Sequence, residues 1–326
     1  MIDAVRFHRP GGTEVLVLEQ SDPGYPGPGE VRIRQHHAGV NFVDVYHRTG
    51  LYPVPFFPAT LGVEAVGTVE AIGDGVRGFH AGQHVTWAGL PMGGYAQARI
   101  IPEARLLPVP EAVPARLIAG TMLRGLTAHM LLYRVWAVKP GDRILVTAAA
   151  GGLGTMLVRW AKLLGAQVVG VTGSEAKAAL ALAAGADHVI VHSLTSGMPA
   201  AVHALTDGQG VDVAFDGVGG DMLLNCLDCV RPFGLIASLG QASGWLPEIP
   251  LSELGPKRSI ALACPSVIRY LADDRTYHAA AAAYFNALTQ GLAIDEGPVF
   301  PLAQAAVAHQ ALEEGRTTGA VVLDLN

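Results

Sequence analysis

The first third of the chain carries short apolar segments that are rich in β-branched residues and are separated by Gly and Pro. These segments lie at residues 2–7, 30–36, 62–72 and 84–87. Gly-Pro clusters, as at 26–29, predict tight turns between them. Short strands at this spacing predict a β-rich domain.

The pattern changes near residue 115, where helical periodicity begins and runs to about residue 133. Strands are then predicted at 143–147, 167–171, 186–190, 211–215 and 235–239, with helices between them, as at 153–164 and 174–184. This alternation predicts an α/β fold with a parallel sheet and right-handed crossovers. After about residue 265 the chain is predicted to be mostly helical. The apolar segment 319–324 predicts a last strand, which can return to complete the β-rich domain.

Length and composition are typical of a globular protein with enough material for two domains. The 326 residues are half apolar and only 15% charged, which is enough material for two cores. With 22 basic and 28 acidic side chains and no basic stripe, the sequence does not predict nucleic-acid binding. No apolar run approaches the ~20 residues of a membrane span, and the N-terminal residues do not resemble a signal peptide. We therefore expect a cytoplasmic enzyme with no membrane partner.

Three cysteines, Cys226, Cys229 and Cys264, are too few for a disulfide framework. The first two form a CxxC pair that can serve redox or zinc chemistry. A single CxxC, however, supplies only two of the four ligands of a tetrahedral zinc site. The favoured interpretation is an amphipathic helix over 223–230 with two small thiols in the core.

A glycine turn follows the first strand of the alternating region. Ala150, Gly151, Gly152, Leu153 and Gly154 follow an apolar strand and begin a helix, with Ala149 in place of the first glycine of GxGxxG. Glycines there let the backbone approach a pyrophosphate, and the N–H groups at the helix N-terminus face its charge. A plain tight turn is the alternative, but the strand–turn–helix–strand context favours a dinucleotide.

The end of the second strand indicates which dinucleotide binds. NAD sites place an acidic residue near this strand end, about 20 residues after the turn, to bind the ribose 2′-hydroxyl. Thr172 stands there instead, and Glu175 lies beyond the strand end. Ser174 and Lys177 can donate to a 2′-phosphate. A lysine such as Lys177, taken alone, is usually a solvated helix residue, but its position at the ribose end favours the phosphate. We therefore predict NADPH as the cofactor.

Several segments together resemble the medium-chain dehydrogenase/reductases. These are Ala-Gly-Val-Asn-Phe-Val-Asp at 38–44, Gly-Leu-Tyr-Pro at 50–53, Leu-Gly-Val-Glu-Ala-Val-Gly at 61–67, the turn at 148–154 and Gly-Ala-Asp at 185–187. The combination is similar to the quinone oxidoreductase branch that includes zeta-crystallin, and it extends to segments 216–220 and 315–320.

The resemblance implies a GroES-like catalytic domain at 1–123 and 265–326, with a Rossmann domain of doubly wound parallel sheet at 124–264. It places the active site in the cleft between the two domains. It also implies a homodimer in which two Rossmann sheets pair edge to edge.

The same resemblance implies chemistry without zinc. Zinc-dependent relatives carry a cysteine where this chain has Asn41 and a histidine where it has Val63, and they have a four-cysteine lobe. A catalytic zinc needs about three protein ligands, and we predict none here. Without a metal to polarise an alcohol, acceptors that are easily reduced are favoured, such as quinones or alkenes conjugated to a carbonyl.

The resemblance assigns the catalytic region to Asn41, Tyr46 and Tyr52. It places Asn41 at the nicotinamide end of the cofactor, although a buried Asn can also simply satisfy backbone groups. Tyr46 and Tyr52 are candidates to line the acceptor site, with ordinary packing as the alternative. Asp44 is expected to hold structure rather than move protons.

Further cofactor contacts follow from the resemblance. They are Thr127, Gly173, Ser174, Lys177, His192, Val218 and Leu239. His192 stands where some relatives have a tyrosine beside the 2′-phosphate, and an exposed loop histidine is the alternative. Cys264 stands in a region where relatives use an arginine, which is a departure from the family pattern.

Three functions remain after these steps. The first is an NADPH:quinone oxidoreductase. The second is an NADPH-dependent 2-alkenal, enone or enoyl-thioester reductase, for which no basic cluster suited to a thioester's phosphate tail is evident. The third is a non-catalytic NADPH-binding protein, since fold alone does not establish catalysis.

Overall fold

The structure is a computed structural model that describes residues 1–111, 113–192, 197–242 and 246–326. The chain divides into two compact units. The first comprises Met1–Arg124, Leu271–Phe285 and Ile294–Asn326, and the second comprises Gly125–Tyr270 and Asn286–Ala293. The first unit is thus assembled from the two ends of the chain.

The N-terminal part of the first unit is mainly β-structure, as predicted. Its elements are β1 (Ile2–Phe7), β2 (Val17–Ser21), β3 (Glu30–Gly39), α1 (Phe42–Thr49), β4 (Ala59–Thr60), β5 (Glu64–Ile72), β6 (His84–Ala88), β7 (Ala98–Pro102), β8 (Leu107–Pro108) and α2 (Ala115–Ala119). The four predicted strands are confirmed. The sequence pattern does not predict α1, because eight residues make only about two turns and give little periodic signal.

The rest of the chain alternates helices and strands. The elements are α3 (Met122–His129), β9 (Arg143–Val146), α4 (Gly152–Leu163), β10 (Gln167–Thr172), α5 (Glu175–Ala183), β11 (His188–Val191), α6 (Met198–Leu205), β12 (Val211–Asp216), α7 (Gly220–Leu227), β13 (Val230–Ser238), α8 (Leu251–Leu254), β14 (Ala261–Ala263), α9 (Val267–Tyr270), α10 (Asp274–Thr289), β15 (Glu296–Pro301), α11 (Ala305–Glu313) and β16 (Ala320–Asp324). A π-helical turn, Met130–Val135, follows α3. The end of the chain is less helical than predicted, because β15 contains two prolines and a glycine and gives no strand signal.

The second unit is built on a parallel sheet with the strand order β11-β10-β9-β12-β13-β14. In β10, every residue after Gln167 is buried. Burial on both faces is expected of a parallel sheet, because its crossover helices cover both sides. The predicted α/β fold is confirmed.

The larger sheet of the first unit has the order β15-β16-β3-β5-β6-β8, with β7 also paired to β3. The predicted return of the last strand is confirmed, since β16 pairs antiparallel with β3 and places Val322 opposite Gly39. A smaller sheet has the order β2-β1-β4. The core beneath these sheets includes Ile33, Trp87 and Ile101. It fixes the end of β3, from which the chain enters Asn41 and α1.

The CxxC segment differs in part from its prediction. The helix ends at Leu227, and Val230 already begins β13, so Cys229 lies in the connection rather than on a helix. The reason is the parallel ladder, in which the Cys229 carbonyl accepts from the N–H of Val211 at 2.9 Å. Both thiols are free and buried in the core of the second unit, which confirms the core interpretation.

Candidate functional site

The glycine turn lies between the end of β9 and the start of α4. Gly151 is the N-cap of α4, with extended backbone angles, and Ala148 has a positive φ of 47°. A Cβ on Gly154 would collide with the carbonyl oxygen of Ala148, so only glycine lets the helix pack this close to the turn. The first N–H groups of a helix have no partner within it. The turn therefore fits the pyrophosphate of a dinucleotide.

The candidate cofactor residues other than Asn41 and Thr127 lie at one edge of the parallel sheet. The turn follows β9, Gly173 and Ser174 follow β10, His192 follows β11, Val218 follows β12 and Leu239 follows β13. All five strands run parallel, so these residues share the carboxyl edge. The strand order reverses between β9 and β12, and ligands of such sheets bind outside the strand ends at that point. Thr127 lies in α3 and is buried.

The end of β10 gives a second helix N-terminus. Ser174 is the N-cap of α5, and its Oγ accepts from the backbone N–H of Lys177 at 3.3 Å. That contact uses a lone pair and leaves the hydroxyl hydrogen available to a phosphate. Lys177 is exposed, whereas Thr172 is buried and donates to the Ser174 carbonyl at 3.3 Å. Thr172 therefore stabilises the strand end, and Ser174 and Lys177 remain the candidates to bind an anion there.

Asp216, which sequence reasoning quoted only as part of a motif, organises the centre of this edge. Its buried carboxylate accepts from the hydroxyls of Thr147 and Ser238, each at 2.9 Å, and from the N–H of Val218 at 3.0 Å. These contacts join the ends of β9, β12 and β13. An acidic residue that ends an apolar strand is the signal that could have singled it out.

The first unit holds a buried polar cluster around Asn41. Asn41 is the N-cap of α1, and its Nδ2 donates to Glu64 Oε1 at 2.6 Å. The other oxygen of Glu64 accepts from the N–H of Leu123 at 2.6 Å, at the start of α3. Asp44 Oδ2 accepts from the backbone N–H of Asn41 at 2.8 Å. Asp44 therefore holds the start of the helix, in line with its predicted structural role.

Burial alters both carboxyl groups of this cluster. Desolvation raises the pKa of Asp44 to about 8, and the charge of Glu64 contributes to that shift. Desolvation likewise raises the pKa of Glu64 to about 7, against the lowering effect of its hydrogen bonds to Leu123 and Asn41. Burial thus opposes the ionisation of both carboxyl groups, in spite of their hydrogen bonds.

A chain of buried groups continues from this cluster toward the surface. Tyr95 Oη lies 3.0 Å from His309 Nε2, and Arg48 Nη1 lies 3.1 Å from His309 Nδ1. The Arg48 guanidinium also donates to both carboxylate oxygens of Glu313, at 2.6 and 2.9 Å. Burial and the charge of Arg48 lower the pKa of His309 to about 3, so the imidazole is neutral. The sequence analysis does not predict this series of contacts, because the contacting residues lie up to 265 positions apart in the sequence.

Tyr46 and Tyr52 lie together at the end of α1. Their ring centroids are 5.3 Å apart in an edge-to-face arrangement, and the N–H of Tyr52 donates to the Tyr46 carbonyl at 3.0 Å. Both side chains are partly exposed. Burial raises the pKa of the Tyr52 phenol, which makes it a weaker acid than a free tyrosine. The pair presents an aromatic surface.

The described residues contain neither a metal cluster nor a helix suited to span a membrane. Within residues 1–111, 113–192, 197–242 and 246–326, no three His, Cys, Asp or Glu side chains are grouped to hold a metal ion. Over the same ranges, no helix combines the length and hydropathy needed to cross a bilayer.

Two known protein families match separate parts of the chain. Residues 27–111 match the family described as "Alcohol dehydrogenase GroES-like domain", and residues 152–273 match "Zinc-binding dehydrogenase". The predicted GroES-like and Rossmann domains are confirmed.

Individual relatives resemble the chain over its whole length. It is 39% identical to a quinone oxidoreductase of Pseudomonas aeruginosa and 39% identical to a 2-haloacrylate reductase of a Burkholderia species, covering 99% of both chains in each case. Among solved structures, a quinone oxidoreductase of Escherichia coli complexed with NADPH has a TM-score of 0.94 at 34% identity, covering 99% of both chains. The chain therefore belongs to the quinone oxidoreductase family of the medium-chain dehydrogenase/reductases.

Proposed function

We propose that this protein is an NADPH-dependent quinone reductase that works without a metal. One observation carries the proposal. In a chain of this family, the glycine turn lies at the point where the strand order of the parallel sheet reverses, and only glycine at position 154 lets α4 pack so close to the Ala148 carbonyl. The identities of Asn41 and Val63, where zinc-dependent relatives have a cysteine and a histidine, support the absence of a zinc ligand set.

NADPH supplies a hydride when bound. We assign the pyrophosphate to the turn at 150–154, and the 2′-phosphate to Gly173, Ser174, Lys177 and His192 at the ends of β10 and β11. Thr127, Val218 and Leu239 complete the cofactor contacts. Asn41 contacts the nicotinamide end, and the aromatic pair Tyr46–Tyr52 lines the acceptor site. The proton that completes reduction can come from solvent, and burial makes the Tyr52 phenol a weaker acid than a free tyrosine.

The preference for NADPH is tested at the end of β10. Lys177→Ala should raise the KM for NADPH by about 10-fold or less, as expected for loss of one exposed charge-assisted contact, while leaving the KM for NADH unchanged. Lys162→Ala is the matched control, because Lys162 pairs with Asp187 and is not assigned to the cofactor. Equal effects on both cofactors, or a wild-type preference for NADH, would refute the assignment of the 2′-phosphate.

The acceptor is tested by following NADPH oxidation with ortho- and para-quinones, 2-haloacrylates, 2-alkenals and crotonyl thioesters. We expect the highest kcat/KM with a quinone. Turnover of thioesters alone would refute the proposal. Tight NADPH binding without turnover of any acceptor would favour a binding protein.

A second candidate is reduction of an activated alkene. It is supported by the similarity to the 2-haloacrylate reductase, which is as close in identity as the quinone oxidoreductase of Pseudomonas aeruginosa. In the same screen, a kcat/KM for 2-haloacrylate or 2-alkenals above that for every quinone would select this function.

We also propose a cytoplasmic homodimer. The family resemblance and the position of β14 at the edge of the parallel sheet support pairing of two sheets there. Light scattering should give a mass of twice 34.0 kDa. A monomer mass at micromolar concentration would contradict this assembly.

A further inference from the structure

The strand β14 ends the parallel sheet of the second unit. It pairs with β13 on one side, and within the described ranges no strand pairs with its other side. The segment 259–264, Ser-Ile-Ala-Leu-Ala-Cys, carries no charge and no proline. Natural edge strands are normally blunted by such residues, because unpaired backbone groups bind other strands. An uncharged open edge therefore indicates a surface that another strand covers.

Two exposed apolar side chains flank this edge. Phe233 and Leu251 are each 82% exposed, more than any other large apolar side chain described in the second unit. Leu251 begins α8, and the carbonyl of Leu254 at the end of α8 accepts from the N–H of Ile260, next to β14. The N–H of Phe233 donates to the carbonyl of Ser259 at 2.6 Å. Exposed apolar groups gathered at one edge are typical of an interaction surface.

The backbone at Phe233 is strained. The strand β13 leaves its ladder with β12 between Val230 and Leu235, and within this bulge Phe233 has a φ of 64°. Ser259, which accepts from Phe233, has a φ of 55°. Left-handed angles suit glycine, and a bulky residue that adopts them is an outlier. Burial within the unit gives no reason for a phenylalanine here, whereas a contact outside it does.

Charged groups beside the edge are paired within the unit. Arg231 contacts Asp212 at 2.7 Å. Arg258 contacts Asp228 at 2.7 Å and also pairs with Glu253. In a symmetric assembly the same groups approach each other from both copies. Because each of these charges already has a partner of opposite sign, they do not oppose such an approach.

We propose that Phe233 is an anchor of the interface between two copies of this chain. The inference rests on the proposed function, which includes a homodimer paired at β14, and it adds the side chain that secures the pairing. A two-fold axis at the edge makes the two β14 strands antiparallel, so the start of each lies opposite the end of the other. Phe233, which Ser259 holds at the start of β14, then contacts the end of β14 in the other copy.

Two glycine substitutions separate the anchor from the strain. Phe233→Gly removes the ring and the strain together, whereas Ser259→Gly relieves the neighbouring strain and keeps the ring. We expect Phe233→Gly to raise the dissociation constant of the dimer by about 10-fold or more, as for a central interface residue. Ser259→Gly should change it by less than about 3-fold. Sedimentation velocity over a series of protein concentrations measures the constants.

Leu163→Ala is the matched control for the loss of an exposed apolar side chain. Leu163 is 51% exposed and ends α4, which packs on β9 and β10 rather than on the edge strand. Its substitution should also change the dissociation constant by less than about 3-fold. A dissociation constant for Phe233→Gly within the range of these two controls would overturn the proposal.

Hydrogen exchange gives a readout that does not depend on mass. The backbone amides of 261–263 should exchange slowly in concentrated wild-type protein, and faster on dilution or in Phe233→Gly. Exchange that is fast at every concentration would refute both the anchor and the homodimer. Equal protection in the wild type and in Phe233→Gly would refute the role of Phe233 alone. Quinone turnover is measured separately, so its absence would refute the proposed reaction and leave the interface standing.

Discussion

The two candidate regions of this protein are made of different parts. The edge of the parallel sheet is built largely from backbone, with glycines and helix N-termini at the ends of β9 and β10. The cluster around Asn41 is built mainly from buried side chains, which come from the β3–α1 connection, β5, the loop that holds Tyr95 and α11, and α3 adds the backbone N–H of Leu123. The first region depends on local backbone shape, and the second depends on long-range packing.

This difference decides how each region responds to change. A backbone site is disrupted by an added Cβ, whereas a buried side-chain network is disrupted when one partner is removed and another is left unpaired. The following predictions test the contrast at both regions.

Arg48→Ala should have the largest effect. The Arg48 side chain is buried, and it donates to both oxygens of Glu313 and to His309. Breaking such a pair typically costs 3–5 kcal/mol, and we expect about 3 kcal/mol because Glu313 is one-third exposed. Urea unfolding measures the loss. Arg316→Ala is the control, since its exposed pair with Glu314 should contribute less than about 1 kcal/mol. Equal losses of unfolding free energy in the two variants would show that the buried Arg48 contacts stabilise the protein no more than an exposed ion pair does.

Gly154→Ala tests the backbone site. Its Cβ would meet the Ala148 carbonyl, so we expect α4 to shift, with a cost of about 1–3 kcal/mol and a loss of NADPH affinity. Gly173→Ala is the control for stability alone, because no atom lies within 4 Å of a Cβ at this position and Gly173 is itself assigned to the cofactor. It should leave the free energy of unfolding within about 0.5 kcal/mol. Calorimetry and fluorescence titration with NADPH measure the two quantities. Unchanged affinity in Gly154→Ala would mean that the turn does not hold the cofactor.

The contrast between local backbone sites and long-range side-chain contacts also explains which parts of the structure can be predicted from the sequence. Strands at 143–147 and 167–171 and the glycines at 151–154 are adjacent in the chain, and their spacing alone predicts the parallel sheet and its turn. The link from Glu64 to Leu123, or from Tyr95 to His309, joins residues 59 and 214 positions apart. No local pattern indicates such pairs. Periodicity also misses α1 and β15, which are short or rich in proline, and whose formation depends on tertiary contacts.

The pH dependence of stability tests the side-chain cluster. The pKa of Asp44 is about 8 in the folded protein against 3.8 for the free side chain. Between these values the unfolded chain releases the proton and the folded chain keeps it. Asp44 therefore destabilises the folded state more and more as pH rises from about 4 to 8, and above that pH the effect stays constant. Relative to the wild type, Asp44→Asn should become more stable as pH rises over this range. Urea unfolding at several pH values measures it. A difference that does not change with pH would mean that Asp44 titrates normally.

Substitution of Tyr52 should have the smallest effect on activity. It tests whether the Tyr46–Tyr52 pair only packs against the acceptor or also donates a proton to it. Its ring meets Tyr46 edge to face at 5.3 Å, and burial makes its phenol a weaker acid. We expect Tyr52→Phe to keep quinone turnover, because the ring contact is retained. Tyr52→Ala should raise the KM for the quinone by roughly 2- to 10-fold, the equivalent of one aromatic pair. Steady-state kinetics at saturating NADPH separate KM from kcat. A fall in kcat in Tyr52→Phe, larger than in Tyr46→Phe, would instead make the Tyr52 hydroxyl a proton donor and place this residue with the chemistry.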